Sequence, residues 1–444
     1  MGSTRLGARL SAIVLAVAPL LVSGQALTSA HAAAIPIDHI VVLMQENRSF
    51  DSYFGQLHSE GQPKANQEPP GANNLDPTNP DGPPIRAFHK TQYCEVADLN
   101  HSWNGTHSEI DSGLMDGFTA ANVVTGSAVG LNDPTGSRSM GYYDQSDLPY
   151  YYGLYSTFAM GDHYFASAPT QTFPNRMYLL AGSSFGHIRN DNFPPSPGEF
   201  PQTTVFDELD AAGVTWKVYY SQTLFGFPLA YALLFAHQRE SADFFKMRPI
   251  SEYFTDAAAG TLPQVAFVDQ VLLAPNNIEN DEHPPANVQV GERFVKQVTD
   301  GLFASPNWSS SALFLTYDEH GGYYDHVPPP AAIPPDDIPP MLLPGDTPGA
   351  FDVYGVRVPA VVVSPYSRPH FVSHRTNDHT SILRFIELRF GLAALSRRDA
   401  AANPMLEFFD FSQRSFATPP TLPAAPLDAA QAAYCSTLPF NTLP

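Results

Sequence analysis

The sequence predicts an α/β protein whose central sheet is mainly parallel. Short apolar runs alternate along the chain with segments whose apolar residues recur at helical spacing. Strands that alternate with helices in this way are typical of parallel sheets. The chain also has 444 residues, of which 43% are hydrophobic. One large domain with a sizeable core is therefore compatible with its length.

Five apolar runs are predicted strands, and two segments with apolar side chains at helical spacing are predicted helices. We expect the strands at residues 40–44, 214–220, 264–269, 312–317 and 359–364, and the helices at 290–303 and 381–390. Proline-rich stretches at 62–84 and 328–348 are predicted surface loops. The chain thus divides into a targeting segment at 1–33, a large α/β domain at 34–415 and an irregular Pro/Ala-rich tail at 416–444.

The first 33 residues have the pattern of a secretory signal peptide. Arg5 and Arg9 precede an apolar stretch at 10–22, and a run of small residues follows at 29–34. The apolar stretch is shorter than the ~20 residues that a membrane span needs. We therefore expect a secreted or periplasmic protein without a stable membrane span.

The net charge limits the partners that the protein can bind, and the two cysteines indicate whether it contains a disulfide. Acidic residues outnumber basic ones by 44 to 23, giving a net charge of -21. This charge argues against a nucleic-acid partner and against strongly anionic membranes, but it does not exclude zwitterionic lipid. In an oxidising compartment Cys94 and Cys435 would favour a disulfide, and two unpaired thiols are the alternative.

Polar residues follow two of the predicted strands at the point where each strand ends. Glu46 and Asn47 follow the first strand, and Asp318 and Glu319 follow the strand at 312–317. Ligands bind beyond the carboxyl ends of the strands in parallel sheets. Residues 317–326, YDEHGGYYDH, hold oxygen and nitrogen donors at a density that suits a divalent cation. A solvated polar turn is the alternative for any one of these residues.

The segment APTQTFPNR at 168–176 contains a candidate nucleophile. The Thr172 hydroxyl becomes nucleophilic when a metal or a base stabilises its alkoxide. The planar guanidinium of Arg176 suits an anion, and Asn175 adds a hydrogen-bond donor. A structural alternative is a turn in which Thr172 caps a helix and Arg176 pairs with a nearby carboxylate.

Histidines in three other segments are weaker candidates, because a lone histidine is more often structural than catalytic. His101 lies in DLNHSW and His283 in EHPP. Asp378 and His379 begin the predicted helix at 381–390, where a capping role is favoured.

Eight motifs in the same order resemble the bacterial phospholipase C and acid phosphatase family of phosphoesterases, within the alkaline phosphatase superfamily. They span residues 37–391 and are ENRSFDSYFG, DLNHSW, MGYYDQSDLPYYYGL, TFPNR, EHPP, YDEHGGYYDHVPPP, GVRVPAVVVSP and DHTSILRFIE. The resemblance implies an alkaline phosphatase-like three-layer sandwich with long loops. It also implies a catalytic role for the domain at 34–415.

The resemblance assigns a role to each candidate residue. Thr172 is the expected nucleophile, and His101 and His283 are expected to contact the phosphate or protonate the leaving group. The expected ligands of a divalent metal ion, whose identity stays open, are Glu46, Asn47, Asp318 and Glu319. The expected substrate-binding residues are Asn175, Arg176, Asp378 and His379.

We therefore expect a secreted enzyme that hydrolyses phosphate esters through a phosphothreonine intermediate, as a phospholipase C or an acid phosphatase. One alternative is a broad acid phosphomonoesterase without lipid activity, and another is a non-catalytic exported protein that binds a metal or an anion. The acidic surface, together with a chain end soon after the last motif, slightly favours soluble substrates over phospholipid.

Overall fold

A computed structural model describes residues 1–2, 35–126, 131–190, 194–272 and 274–438. Within these ranges eight strands form one central sheet, in the order β4-β3-β5-β1-β6-β7-β2-β8. Only β7 runs antiparallel to the other strands of this sheet. The strands are β1 His39–Gln45, β2 Ala159–Gly161, β3 Trp216–Tyr220, β4 Met247–Pro249, β5 Val265–Asp269, β6 Ser311–Tyr317, β7 Ala360–Val363 and β8 Val372–Ser373.

The five predicted strands correspond to β1, β3, β5, β6 and β7, with ends that differ by at most two residues. The strand β1 lies at the centre, and its Ile40 is in register with Val265 of β5 and Ala312 of β6. The other three strands of the sheet were not predicted, because two or three residues are too few to show a period.

Helices lie between most consecutive strands of the sheet, but none lies between β6 and β8, a stretch that the structure describes in full. The α-helices are α1 Phe50–Phe54, α2 Trp103–Ile110, α3 Phe118–Ala121, α4 Pro149–Thr157, α5 Thr172–Ala181, α6 Val205–Ala211, α7 Ala236–Glu240, α8 Ile250–Ala259, α9 Val288–Phe303, α10 His379–Phe390, α11 Arg397–Ala401 and α12 Ala429–Cys435. The predicted helices at 290–303 and 381–390 are α9 and α10. Each begins two residues earlier than expected because a polar side chain caps it, Asn287 in α9 and Asp378 in α10.

Helices cover both faces of the sheet. Because successive side chains of a strand point to opposite faces, Val218 and Tyr219 of β3 identify the two sides. Val218 lies with Phe206 of α6 in the core, whereas the ring of Tyr219 packs against Tyr253 of α8. The sheet and its two helical layers form a three-layer α/β sandwich, so the predicted fold class is confirmed.

Part of the tail that we expected to be irregular forms the short helix α12, Ala429–Cys435. Asp428 caps the N-terminus of α12, where its side chain accepts hydrogen bonds from the N–H groups of Ala430 and Gln431. Cys435, the last residue of α12, forms a disulfide with Cys94. This bond ties the tail to the segment that precedes His101.

The predicted signal peptide at 1–33 lies, apart from its first two residues, outside the described part of the chain. Among the described residues, no helix combines the length and the apolar character that crossing a bilayer requires.

Candidate active site

The site begins where β1 and β6 end side by side, with Gln45 in register with Tyr317. The chain turns sharply after β1, because Asn47 adopts a left-handed conformation with φ of 61°. In this conformation the N–H of Asn47 donates a 3.1 Å hydrogen bond to Oδ1 of Asp318. The N–H of Arg48 donates to the carbonyl of Glu319 at 3.0 Å. The two polar turns that the sequence singled out are therefore joined directly.

Arg176 orients the acidic side chain that follows β1. Its Nη2 donates to Oε1 of Glu46 at 3.1 Å and to the carbonyl of Met44 at 2.9 Å, and its Nε lies 3.7 Å from Oδ2 of Asp318. The ring of Tyr231 lies 3.7 Å from the guanidinium carbon, and the Tyr231 hydroxyl donates to Glu46. Because Arg176 is buried in these contacts, the structure favours the carboxylate salt bridge over direct substrate binding for this side chain.

Several buried polar atoms at the ends of β1 and β6 have no hydrogen-bond partner. They are both side-chain heteroatoms of Asn47, Oδ2 of Asp318 and Oε1 of Glu319. Burial, followed by the charge of Glu46, raises the pKa of Asp318 to about 8. Unpaired buried oxygens of this kind are costly in an apolar interior, and they are the ligands that hard divalent cations prefer. The donor set therefore fits the divalent metal ion that the sequence predicts.

Thr172 is the first residue of α5, and the turn before it is fixed by Asn175. The Asn175 Oδ1 accepts from the N–H of Ala168 at 2.9 Å, and its Nδ2 donates to the carbonyl of Thr170 at 2.8 Å. The side-chain amide of Asn175 thus hydrogen-bonds to the backbone of its own turn, and these contacts position Thr172. Residues four apart lie on the same face of a helix. Thr172 accordingly lies one turn from Arg176, which contacts Glu46.

His101 and His283 meet at a carboxylate that the sequence analysis did not single out. Oδ2 of Asp98 lies 3.5 Å from Nδ1 of His101 and 3.3 Å from Nε2 of His283. The Nε2 of His101 also lies 3.9 Å from Oε1 of Glu319. Burial alone would lower the pKa of His283, but Asp98 and then Glu46 raise it to about 9. At neutral pH His283 is therefore protonated; its Nδ1 donates to the carbonyl of Pro284 at 2.5 Å, so Nε2, which faces Asp98, is the nitrogen that can donate to a leaving group.

His379 contacts the turn after β6, whereas Asp378 contacts the segment before α5 and caps α10. The Nε2 of His379 donates to the carbonyl of Asp318 at 2.7 Å, and burial lowers the pKa of His379 to about 3, so the ring is neutral. Asp378 accepts from the hydroxyls of Ser167 at 2.7 Å and Thr380 at 2.6 Å while it caps α10. These contacts are those of positioning residues, whereas the resemblance assigned both side chains to substrate binding.

A cavity of about 600 Å³ opens beside these groups. Its polar wall includes Glu46, Thr172, Asp281 and His283, while most of its remaining lining is apolar. Asp281 was missed by the sequence analysis, although it directly precedes the EHPP motif. Its backbone carbonyl accepts from the N–H of Glu46 at 2.8 Å. The cavity therefore brings the predicted nucleophile, one predicted metal ligand and one predicted acid to a common surface.

Comparison with known proteins identifies the class. A sequence model of the Phosphoesterase family matches residues 37–393. This match and the relatives described below define a hydrolase that acts on phosphoric esters. The chain belongs to the Phosphoesterase family. The resemblance drawn from the eight motifs is thereby confirmed.

Two relatives and one solved structure illustrate the similarity. The chain is 32% identical over 413 residues to non-specific phospholipase C1 of Arabidopsis thaliana, covering 88% of this chain and 75% of the relative. It is 33% identical over 425 residues to phospholipase C A of Mycobacterium tuberculosis strain ATCC 25618 / H37Rv, covering 87% and 79%. A crystal structure of an alkaline phosphatase superfamily protein from Vibrio parahaemolyticus aligns with a TM-score of 0.35 at 11% identity, covering 57% of this chain and 64% of that one.

Proposed function

We propose that the chain is a phospholipase C-type phosphodiesterase that uses Thr172 as its nucleophile. The observation that carries this proposal is the cavity that Thr172 shares with Glu46 and His283, whose remaining walls are mostly apolar. An apolar cavity suits the glycerol and acyl part of a phospholipid better than a small polar monoester. The similarity to two phospholipases C supports the same substrate class. These two observations outweigh the slight preference for soluble substrates that the acidic surface suggested.

In the first step, the Thr172 hydroxyl releases its proton to solvent, and its oxygen forms a bond to phosphorus while the bond between phosphorus and the diacylglycerol oxygen breaks. His283 lines the cavity in its protonated form, and it donates its proton to the departing diacylglycerol oxygen. Thr172 is also the first residue of a ten-residue helix, α5, whose N-terminus favours the negative charge of the phosphate.

In the second step, a water molecule gives a proton to neutral His283 and its oxygen bonds to phosphorus. The bond from phosphorus to the Thr172 oxygen then breaks, which releases the phosphorylated headgroup, and this oxygen takes up a proton from solvent to restore the hydroxyl. A bound divalent cation would supply Lewis-acid stabilisation of the phosphate oxygens in both steps. The residues that would hold it are Glu46, Asn47, Asp318 and Glu319.

The Thr172→Ala variant tests the nucleophile. We expect release of phosphocholine from phosphatidylcholine to fall by at least ~10³-fold, because no other group replaces the attacking oxygen. The Thr172→Ser variant is the matched control, since it keeps the hydroxyl, and it should retain measurable turnover. If Thr172→Ala hydrolyses lipid at the parental rate, the covalent mechanism is wrong.

The parent protein distinguishes the remaining alternatives in the same assay. A broad phosphomonoesterase would release phosphate from a soluble monoester and no phosphocholine from lipid. A non-catalytic binding protein would release neither product with any divalent cation added.

We further propose that the enzyme acts outside the cytoplasm. The signal-peptide pattern at 1–33 and the disulfide between Cys94 and Cys435 both support this location. Expression of the full chain, followed by cell fractionation and N-terminal sequencing, should give an extracytoplasmic protein that begins near residue 34. Recovery in the cytoplasm with Met1 retained would contradict the proposal.

A further inference from the structure

A short hairpin beside the cavity exposes two aromatic side chains to solvent. Its strands, Thr223–Leu224 and Phe227–Pro228, pair in antiparallel fashion. Both tip residues have positive φ, 50° at Phe225 and 85° at Gly226, as the tight turns of hairpins require. Phe225 is 94% exposed and Phe227 is 66% exposed. Two large exposed rings on one tight turn are a costly surface in water unless a partner covers them.

The segment around the hairpin carries no formal charge. Residues 218–236 contain no Asp, Glu, Lys, Arg or His, in a chain whose net charge is -21. A third exposed ring, Phe245 at 74%, lies in the turn Ala242–Lys246, which leads directly into β4. The strand β4 in turn contacts the second strand of the hairpin. The uncharged segment 218–236 of an acidic protein suits a neutral partner and not a polyanion.

The hairpin is also part of the wall of the catalytic cavity. Leu224, Phe225 and Phe227 line the same cavity as Thr172 and His283. Its volume of about 600 Å³ is in the ordinary range for a small-molecule site. The apolar side chains of the hairpin and the side chain that we propose as nucleophile therefore lie on the walls of one cavity.

We propose that this hairpin docks the enzyme on a zwitterionic phospholipid surface, with Phe225 and Phe227 inserted at the boundary between headgroups and acyl chains. Aromatic side chains are favoured at that boundary, and binding there increases with the apolar area that is buried. A phospholipid would then pass from the surface along the cavity wall, and its phosphate would reach Thr172 while its glycerol and proximal acyl carbons contact the apolar side. This inference deepens the proposed function and rests on it.

The test is sedimentation with phosphatidylcholine vesicles, combined with activity. Four proteins are compared: the parent, Phe225→Ser/Phe227→Ser, Thr172→Ala and the control Phe88→Ser/Leu114→Ser. The control removes two other exposed apolar side chains, 42% and 69% exposed, that do not line the cavity. Circular dichroism and melting temperature establish that each variant is folded.

We expect the hairpin variant to bind vesicles at least ~100-fold more weakly than the parent, because each of the two buried rings contributes roughly a factor of ten or more and the two factors multiply. The control variant should bind like the parent. Hydrolysis of lipid in vesicles should fall in the hairpin variant by a much larger factor than hydrolysis of a soluble phosphocholine diester without acyl chains. A loss of activity on vesicles that greatly exceeds the loss on the soluble diester indicates a docking defect. Equal losses on both substrates would indicate damage to the active site.

The outcomes for docking and for the proposed function can be distinguished. Thr172→Ala should sediment with vesicles like the parent and hydrolyse neither substrate, so a failure of the catalytic proposal would leave the docking result intact. Parent protein that does not sediment with the vesicles would overturn the docking proposal, as would a hairpin variant that binds like the parent. A parental dimer that the hairpin substitutions dissociate, without vesicle binding, would also overturn it by identifying the surface as an interface between copies.

Discussion

Two buried acidic clusters lie close together in sequence but are built in opposite ways. In the first, Arg357 pairs with Asp51 at 2.7 Å and with both oxygens of Asp325 at 3.1 Å, and His326 pairs with Asp51 at 2.6 Å. In the second, formed after β1 and β6, Arg176 reaches Glu46, but the buried atoms described above have no hydrogen-bond partner. We name these the paired cluster and the open cluster.

The difference supports a structural role for the paired cluster and agrees with the functional role that we propose for the open cluster. Both clusters come from the same two motifs, since Asp51 follows Glu46 by five residues and Asp325 follows Glu319 by six. In the paired cluster a guanidinium satisfies the carboxylates, as the burial of charge requires. In the open cluster the protein retains the cost of unsatisfied buried oxygens, which a ligand can offset on binding.

The largest expected effect is on the open cluster when cations are removed. Chelation should reduce phosphodiester hydrolysis by at least ~10³-fold, and a divalent cation should restore it, because the charge on the phosphate oxygens then lacks its counter-charge. Chelation should also lower the melting temperature, since a cation that binds only the folded state stabilises it. Calorimetric titration and thermal unfolding measure binding without reference to activity.

Matched variants assign the cation to one cluster. Asp318→Asn should abolish the dependence of the melting temperature on added cation, whereas Asp325→Asn should retain it. If the parent protein hydrolyses substrate at full rate in the presence of chelator, the buried oxygens of the open cluster do not bind a catalytic cation.

A second prediction concerns the stability of the cation-free protein. Asp325→Asn removes one of the two carboxylates that neutralise buried Arg357, and it should destabilise the fold by roughly 3–5 kcal/mol. Asp318→Asn removes a carboxylate that is buried beside Glu46, so it should cost little or even stabilise the chelated protein. Urea unfolding at pH 7.5 measures both. Equal losses in the two variants would remove the distinction between the clusters.

The features of the two clusters that depend on a local sequence pattern could be predicted from the sequence. The strands β1 and β6 are long, apolar and buried, so their ends and the acids after them could be located from the alternation of apolar and polar residues. The disulfide remained open, because two cysteines 341 residues apart give no local signal that they are close.

Other parts depend on contacts between segments that no local pattern links. Tyr231 reaches Glu46 from a short turn of four residues, Tyr231–Leu234, and no motif marks it. Asp98 serves two histidines that lie 3 and 185 residues further along the chain, so its role follows only from the fold. The roles of Asn175 and Arg176 likewise depended on which groups the fold brought near them.

The smallest predicted effect is a shift in the pH dependence of kcat/KM. It is tested on two histidine–aspartate pairs, one near the open cluster and one in the paired cluster. His283 pairs with Asp98 at 3.3 Å and lines the cavity, whereas His326 pairs with Asp51 in the paired cluster. If His283 donates the proton to the leaving group, kcat/KM should fall as pH rises through the His283 pKa of about 9. Asp98→Asn removes the charge that raises this pKa most. The alkaline limb of the kcat/KM profile, where activity falls with rising pH, should therefore move to lower pH by about 1–3 units.

Stability provides an independent measure of the same pair. The folded pKa of His283 lies above its ordinary value of 6.5, so the protonated pair stabilises the fold fully below pH 6.5 and loses that contribution as pH rises through about 9. Asp98→Asn should therefore flatten the dependence of the unfolding free energy on pH between those values. The His326→Asn variant is the control, because its pair belongs to the paired cluster, and it should leave the alkaline limb in place. If the alkaline limb of the kcat/KM profile moves in His326→Asn but not in Asp98→Asn, His326 and not His283 is the proton donor. The functional contrast between the two clusters would then be reversed.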